Sequence, residues 1–221
     1  MPLLYTVGKL TLGNALRLGW RPTVQGLEHL PATGGVILAA NHLSAADDLF
    51  LGAVVPRRIT FWAKAEYFTG TGFGGWLTRA VIGGIGAIPV ERTGGRAVLS
   101  AFDAAIPALR AGALIAVHPE GTRSPDGRLY RGRTGVARLA LAAGVPVVPL
   151  GVIDTDKAQP IGALLPRLVP VTLRFGKPID FTDRASDYSG LRAITDEVML
   201  EIQRLSGQEY VPRYAPQRDA K

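Results

Sequence analysis

The chain contains no cysteine. Disulfides, Cys-ligated zinc and a cysteine nucleophile are excluded, and with them a thioester-linked acyl-enzyme. Histidine is scarce, with three in 221 residues, so any imidazole chemistry must run through His29, His42 or His118. No two of these have H-x-x-x-H spacing and no second ligand lies close in sequence, so no metal site is expected. Charge is thin: Asp, Glu, Lys and Arg make up 19% of the residues, below the usual quarter. With a hydrophobic fraction of 47%, this allows a sizeable core and some apolar surface besides. Long hydrophobic runs are missing. The uncharged stretch 141–153 is interrupted by Gly144, Pro146, Pro149 and Gly151 and falls short of the ~20 residues of a membrane span. The N-terminus lacks the charged start and cleavage site of a secretory signal. There is no Walker lysine pattern and no G-x-S-x-G nucleophile elbow.

What is present is basic. Lys and Arg number 25 against 18 Asp and Glu, a formal net charge of +7. Such an excess suits anionic partners: anionic lipid, a phosphorylated or acidic carrier, or nucleic acid. Arg is the commoner of the two cations, and it pairs bidentately with phosphate where Lys does not.

The length suits one domain. Residues 1–20 are apolar, charged only at Lys9 and Arg17. Their leucines could line a helix, either interfacial on a membrane or packed on the domain. The run Val36 to Ala40, after Gly34-Gly35, predicts a buried strand. Further strands are expected at 59–63, 86–90, 113–117, 145–152 and 171–175. Helices are expected at 65–80, 96–109, 135–143 and 191–205, with a loop at 118–132. This alternation predicts a single α/β domain with a mostly parallel or mixed central sheet flanked by helices. Residues 1–25 form an apolar membrane-associating segment, 26–207 the domain, and 208–221 a polar, frayed tail.

Chemistry-bearing residues cluster where strands end. His42 and Asp47 lie five apart, at an expected strand-to-helix junction. At that spacing the carboxylate can hold one imidazole nitrogen as N–H and leave the other as a base toward an alcohol. The alternative is a helix cap from Ser44 or Asp47, with His42 incidental. The segment from His118 to Ser124 follows the strand at 113–117, where α/β sheets bind ligands. Gly121 would let backbone N–H groups approach an anion, and Thr122 and Arg123 would add donors; an ordinary polar turn is the alternative. Arg92 ends the expected strand at 86–90. Arg131 and Arg133 flank Gly132 before a helix, as a phosphate clamp would. The G-x-G-x-x-G match at Gly70 to Gly75 follows an expected helix, not a strand, and lacks the context of a dinucleotide site.

Taken in order, Asn41-His42-x-Ser44-x-x-Asp47, Val90-Glu91-Arg92, Pro119-Glu120-Gly121-Thr122-Arg123-Ser124 and Val145-Pro146-Val147-Val148-Pro149 resemble the glycerolipid acyltransferase family. Within it the chain most resembles bacterial 1-acylglycerol-3-phosphate acyltransferases. The resemblance covers about residues 26–178 and implies the glycerol-3-phosphate acyltransferase-like fold. It implies that His42 is the general base and Asp47 its orienting partner. It implies that Arg92, Glu120, Gly121 and Arg123 bind the acceptor's phosphate, with Lys64 beside it. It also implies acyl-CoA or acyl-carrier protein as co-substrate, no cofactor or metal, a peripheral place on the cytoplasmic face of the membrane against anionic lipid, and no nucleic acid. His118 stands where the family usually has Phe or another aromatic, Glu91 replaces a common Asp, and Arg133 a common Lys. Three competing readings remain: an acyltransferase on another acceptor (glycerol 3-phosphate, a lysophospholipid or a phosphoinositide glycolipid), an esterase or thioesterase with Ser44 as nucleophile, and a basic binding module without catalysis.

Overall fold

The computed structural model describes residues 3–64, 71–72, 75, 88–90, 95–160 and 167–216. Strand β1 is Thr23–Gln25, β2 Val36–Ala40, β3 Ile59–Thr60, β4 Trp62–Lys64, β5 Ile88–Val90, β6 Leu114–Val117, β7 Leu129–Tyr130, β8 Val147–Ile153, β9 Thr172–Phe175 and β10 Tyr210–Val211. Every residue of β2 is buried, as a continuous apolar run requires of a central parallel strand. It pairs in parallel with β6 on one side and β8 on the other. The main sheet has the order β1-β9-β8-β2-β6-β3, and only its β8–β9 pair is antiparallel. Two short parallel pairs, β4–β5 and β7–β10, stand apart.

Successive β2 side chains point to opposite faces, which divides the core in two. Val36, Leu38 and Ala40 join Phe50 and Leu51 of a helix spanning Ala46–Val54 (α3). Ile37 and Ala39 join a second cluster with helices α4 (Gly95–Arg110), α5 (Gly135–Ala143) and α7 (Tyr188–Ser206); α6 is the short turn Thr155–Ala158. In α7, Leu191, Ile194, Thr195, Val198, Met199, Ile202 and Leu205 are buried, a stripe of three-and-four spacing. Asp187 caps it by accepting the Gly190 N–H at 2.9 Å, which starts the helix three residues before the apolar pattern does. Helix α7 lies directly on β8 at Gly151, where an added Cβ would come within 2.6 Å of the Leu205–Ser206 backbone.

Two expectations change. The segment 118–132 is not all loop, because Leu129 and Tyr130 form β7. Residues 208–216 are not frayed: β10 pairs with β7, and Val211 and Ala215 are buried beside Tyr130. A two-residue strand carries too little periodicity to announce itself. The expected strand at 59–63 divides at Phe61 into β3 and β4. Of the helix expected at 65–80, only residues 71, 72 and 75 are among the described residues.

The N-terminal segment is α1 (Leu3–Gly8) and α2 (Asn14–Trp20), joined by a π-helical turn, Lys9–Gly13. It ends at Arg21, with φ of 44°. It both packs and protrudes. Tyr5 and Leu16 are buried, and the Tyr5 hydroxyl accepts the Ile59 N–H at 3.1 Å. Its charged side chains turn inward as well: Lys9 donates to the Val55 carbonyl and Arg17 to that of Val54, cationic groups on the free carbonyls where α3 ends. The opposite side shows Leu3, Leu10 and Leu18, exposed by 78%, 63% and 75%. Among the described residues, no helix is long and apolar enough to cross a membrane.

Because Gly151 carries the contact between α7 and the sheet, Gly151→Ala should overpack it and cost about 1–3 kcal/mol. Urea unfolding should show a lowered midpoint at unchanged slope. An unmoved midpoint would mean that the contact yields freely.

Candidate active site

Strand β2 delivers the site by the way it ends. The Asn41 side chain extends the β2–β8 pairing by one rung: its Nδ2 donates to the Val152 carbonyl at 2.8 Å and its Oδ1 accepts the Val152 N–H at 2.7 Å. The same Nδ2 reaches Gln208 Oε1 at 2.8 Å, and Gln208 Nε2 donates to the Gly127 carbonyl at 2.6 Å. The chain then turns into α3, and Asp47 falls in its first turn, fully buried.

One oxygen of Asp47 organises the turn. Its Oδ2 accepts the Leu43 N–H at 2.8 Å, the Ser44 N–H at 3.0 Å and the His42 Nδ1–H at 2.8 Å. The carboxylate that holds this turn is the one that holds the His42 ring. Since Oδ2 can only accept, Nδ1 carries the proton and Nε2 is left as the basic nitrogen. Burial lowers the His42 pKa, the charge of His118 lowers it further, and the hydrogen bond and charge of Asp47 pull the other way. The net direction is downward, so the ring is neutral and basic at pH 7.

The segment after β6 holds the His42 backbone from both sides. Glu120 Oε1 accepts the His42 N–H at 3.1 Å, and the Ser124 N–H donates to the His42 carbonyl at 2.7 Å. Glu120 Oε2 accepts the Tyr130 N–H at 2.8 Å. The expectation gave Glu120 to the acceptor phosphate; in the structure both its oxygens engage the protein backbone. It is 1% exposed, each oxygen is met by a backbone amide, and a carboxylate would repel a phosphate. Burial pushes its pKa up to about 7, against the two amides and the charge of His118.

Gly121 has a φ of 76°, and a Cβ there would lie 3.0 Å from Arg133 Nε. The Arg133 N–H donates to the Pro119 carbonyl at 2.8 Å, so Arg133 is folded over the Gly121 turn. Its guanidinium, and that of Arg131, lie 5.0 and 5.6 Å from the Tyr214 ring centre. Thr122 and Arg123 are half-buried. The Arg123 side chain has no ion pair among the described residues, which leaves its charge for an anion. Lys64 is placed only as the last residue of β4, and Arg92 lies outside the described residues.

Two residues escaped the sequence reading as participants. The His118 ring stacks on His42, with centroids 3.9 Å apart and planes 10° from parallel, and its Nε2 lies 3.2 Å from Asp48 Oδ1. The signal available was a histidine at an aromatic position and a second Asp beside Asp47. Ser44, the alternative nucleophile, is 1% exposed. Its hydroxyl donates to the Gln159 carbonyl at 2.7 Å and accepts the Ala46 N–H at 3.2 Å, so it is engaged in capping the turn.

Comparison with known proteins adds to this geometry. The model of the Acyltransferase family matches residues 21–153. A 1-acyl-sn-glycerol-3-phosphate acyltransferase of Limnanthes alba is 31% identical over 170 residues, 75% of this chain and 58% of that protein. One from Bacillus subtilis is 32% identical over 130 residues, 58% of this chain and 62% of that protein. A chloroplastic one from Brassica napus is 28% identical over 158 residues, 71% of this chain and 44% of that protein. The chain thus spans about half the length of the plant relatives. The crystal structure of the 1-acyl-sn-glycerophosphate acyltransferase PlsC from Thermotoga maritima superposes with a TM-score of 0.69 at 26% identity, over 91% of this chain and 79% of that one. With the family model matching residues 21–153, the chain belongs to the Acyltransferase family.

Proposed function

We propose that this protein transfers a fatty acyl group from acyl-CoA or acyl-carrier protein to the free hydroxyl of 1-acylglycerol 3-phosphate, giving phosphatidic acid for phospholipid synthesis. The observation that carries the reading is the His42–Asp47 pair at 2.8 Å, with no hydrogen bond on His42 Nε2 among the described residues and with Glu120 and Ser124, on either side of the Gly121–Arg123 turn, holding the His42 backbone. The printed activities of the matched relatives support the acceptor.

The chemistry follows from the residues. His42 Nε2 takes the proton of the acceptor hydroxyl as its oxygen attacks the thioester carbonyl. The C–S bond then breaks, and the proton returns from His42 to the leaving thiolate. Thioesters are activated, so no acyl-enzyme is required. A positioned base contributes about 10²–10⁴-fold, roughly 3–5 kcal/mol. Asp47 offsets the positive charge that develops on His42 in a buried site, where such pairing is strong. Holding the two substrates in register contributes up to about 7–11 kcal/mol. We assign that task to Lys64, Arg92, Thr122, Arg123 and Arg133 with the Gly121 turn, acting on the acceptor phosphate. The exposed leucines of the N-terminal segment support a peripheral place on the membrane, which we assign to the cytoplasmic face. Lys9 and Arg17 donate to carbonyls at the end of α3, and the exposed Leu3, Leu10 and Leu18 offer apolar surface to lipid.

His42→Ala should lower transfer by at least about 10²-fold while thermal unfolding and acceptor binding stay near wild type. Near-normal turnover would remove His42 from the chemistry. Arg123→Ala should raise the acceptor KM about 10- to 100-fold, the loss of one charge-assisted contact to phosphate, and leave the donor KM within a few-fold. Equal effects on both would contradict a phosphate role.

A further inference from the structure

We propose that His118 is a positioning residue in the form of a standing imidazolium, stacked face to face on His42, which keeps the catalytic imidazole neutral and so sets the acid limit of the reaction. The proposal rests on His42 being the base.

The protons of His118 follow from what its nitrogens face. Nδ1 lies 3.1 Å from the Ala40 carbonyl and 3.1 Å from that of Asn41. Both atoms are acceptors only, so Nδ1 carries a proton. Nε2 lies 3.2 Å from Asp48 Oδ1, on a carboxylate whose side chain is 39% exposed. A neutral ring with Nδ1–H would set the Nε2 lone pair against that carboxylate. Both nitrogens therefore hold protons and the ring is a cation. Burial works against this charge, but the bond to Asp48, the charges of Asp48 and Asp47 and the Ala40 carbonyl outweigh it and raise the pKa to about 9.

The cation then acts on its neighbour. The two rings are parallel at 3.9 Å, and a like charge so close disfavours a second one. Among the described residues, three carboxylates face the pair. From α3 come Asp47, on His42 Nδ1, and Asp48, on His118 Nε2; from the loop after β6 comes Glu120, on the His42 backbone N–H. Burial is the largest effect against a proton on His42, whereas Asp47 and Asp48, acting alone, would favour a protonated ring, which cannot act as a base. His118 is the only cation stacked on that ring among the described residues, and it opposes them. Phenylalanine at 118 would keep the stacked surface and remove the charge.

The test reads protonation directly and rate separately. In ¹⁵N-resolved NMR titrations of wild type, His118 should keep both N–H protons beyond pH 8 while His42 titrates below pH 6.5, the free-imidazole value. In His118→Phe, His42 should titrate higher by about one unit or more. The acid limb of kcat/KM for acyl transfer should move up in pH by the same amount. A purely structural role would leave that limb in place and change only the plateau or the melting temperature. The inference is overturned if His118 titrates below pH 7 in wild type, or if removing it leaves the His42 titration unmoved. Should His118→Phe fail to fold, the wild-type titration decides alone. Because NMR reports protonation whatever the activity, failure of this inference stays distinct from failure of the base role, which His42→Ala tests.

Discussion

The site depends on a single buried carboxylate oxygen. Asp47 Oδ2 receives the Leu43 and Ser44 amides and the His42 ring N–H, all within 3.0 Å. Burying a carboxylate without partners costs several kcal/mol, and these three N–H donors are what make it tolerable. The same three bonds shape the turn, start α3 and fix the tautomer of the base. Structure and chemistry thus share one interaction: loss of the carboxylate would release the turn as well as the ring.

The rest of the fold brings distant stretches to that point. Parallel pairing sets β2 between β6 and β8 in register, so the loops that leave their carboxyl ends are neighbours. Asn41 ties the β2 loop to β8, and Glu120 and Ser124 tie it to the loop after β6. Glu120 is costly to bury, yet both its oxygens meet backbone amides, and this gives the His42 main chain a rigid seat. Around it each imidazole has a carboxylate on one nitrogen: Asp47 on His42, Asp48 on His118. Such opposition tunes a base more finely than a single partner could, because burial, a carboxylate and a cation each move its proton affinity.

Much of this was legible in the sequence because apolar runs report burial. Residues 36–40 could only be a central strand, and the helix at 135–143 ends at Gly144 as expected. The pairing of His42 with Asp47 was legible because five residues across a turn leave few geometries. The task of Glu120 was not, since a motif gives residue identity and not the direction of a side chain. His118 was legible only as a departure from an aromatic position; its partner Asp48 is seventy residues away, and no periodicity links them. Strand β10 and the inward turn of Lys9 and Arg17 also depend on long-range contacts that local pattern does not carry.

The claim at the centre is that an imidazole base serves an acceptor recognised through its phosphate. The most direct measurement is acyl transfer from labelled acyl-CoA to 1-acylglycerol 3-phosphate and, in parallel, to the same monoacylglycerol without the phosphate, with products identified by mass spectrometry. The account predicts phosphatidic acid as the main product and a kcat/KM at least about 10²-fold higher for the phosphorylated acceptor, as loss of charge-assisted contacts would give. Equal transfer to both acceptors, or release of free fatty acid without transfer to either, would contradict it.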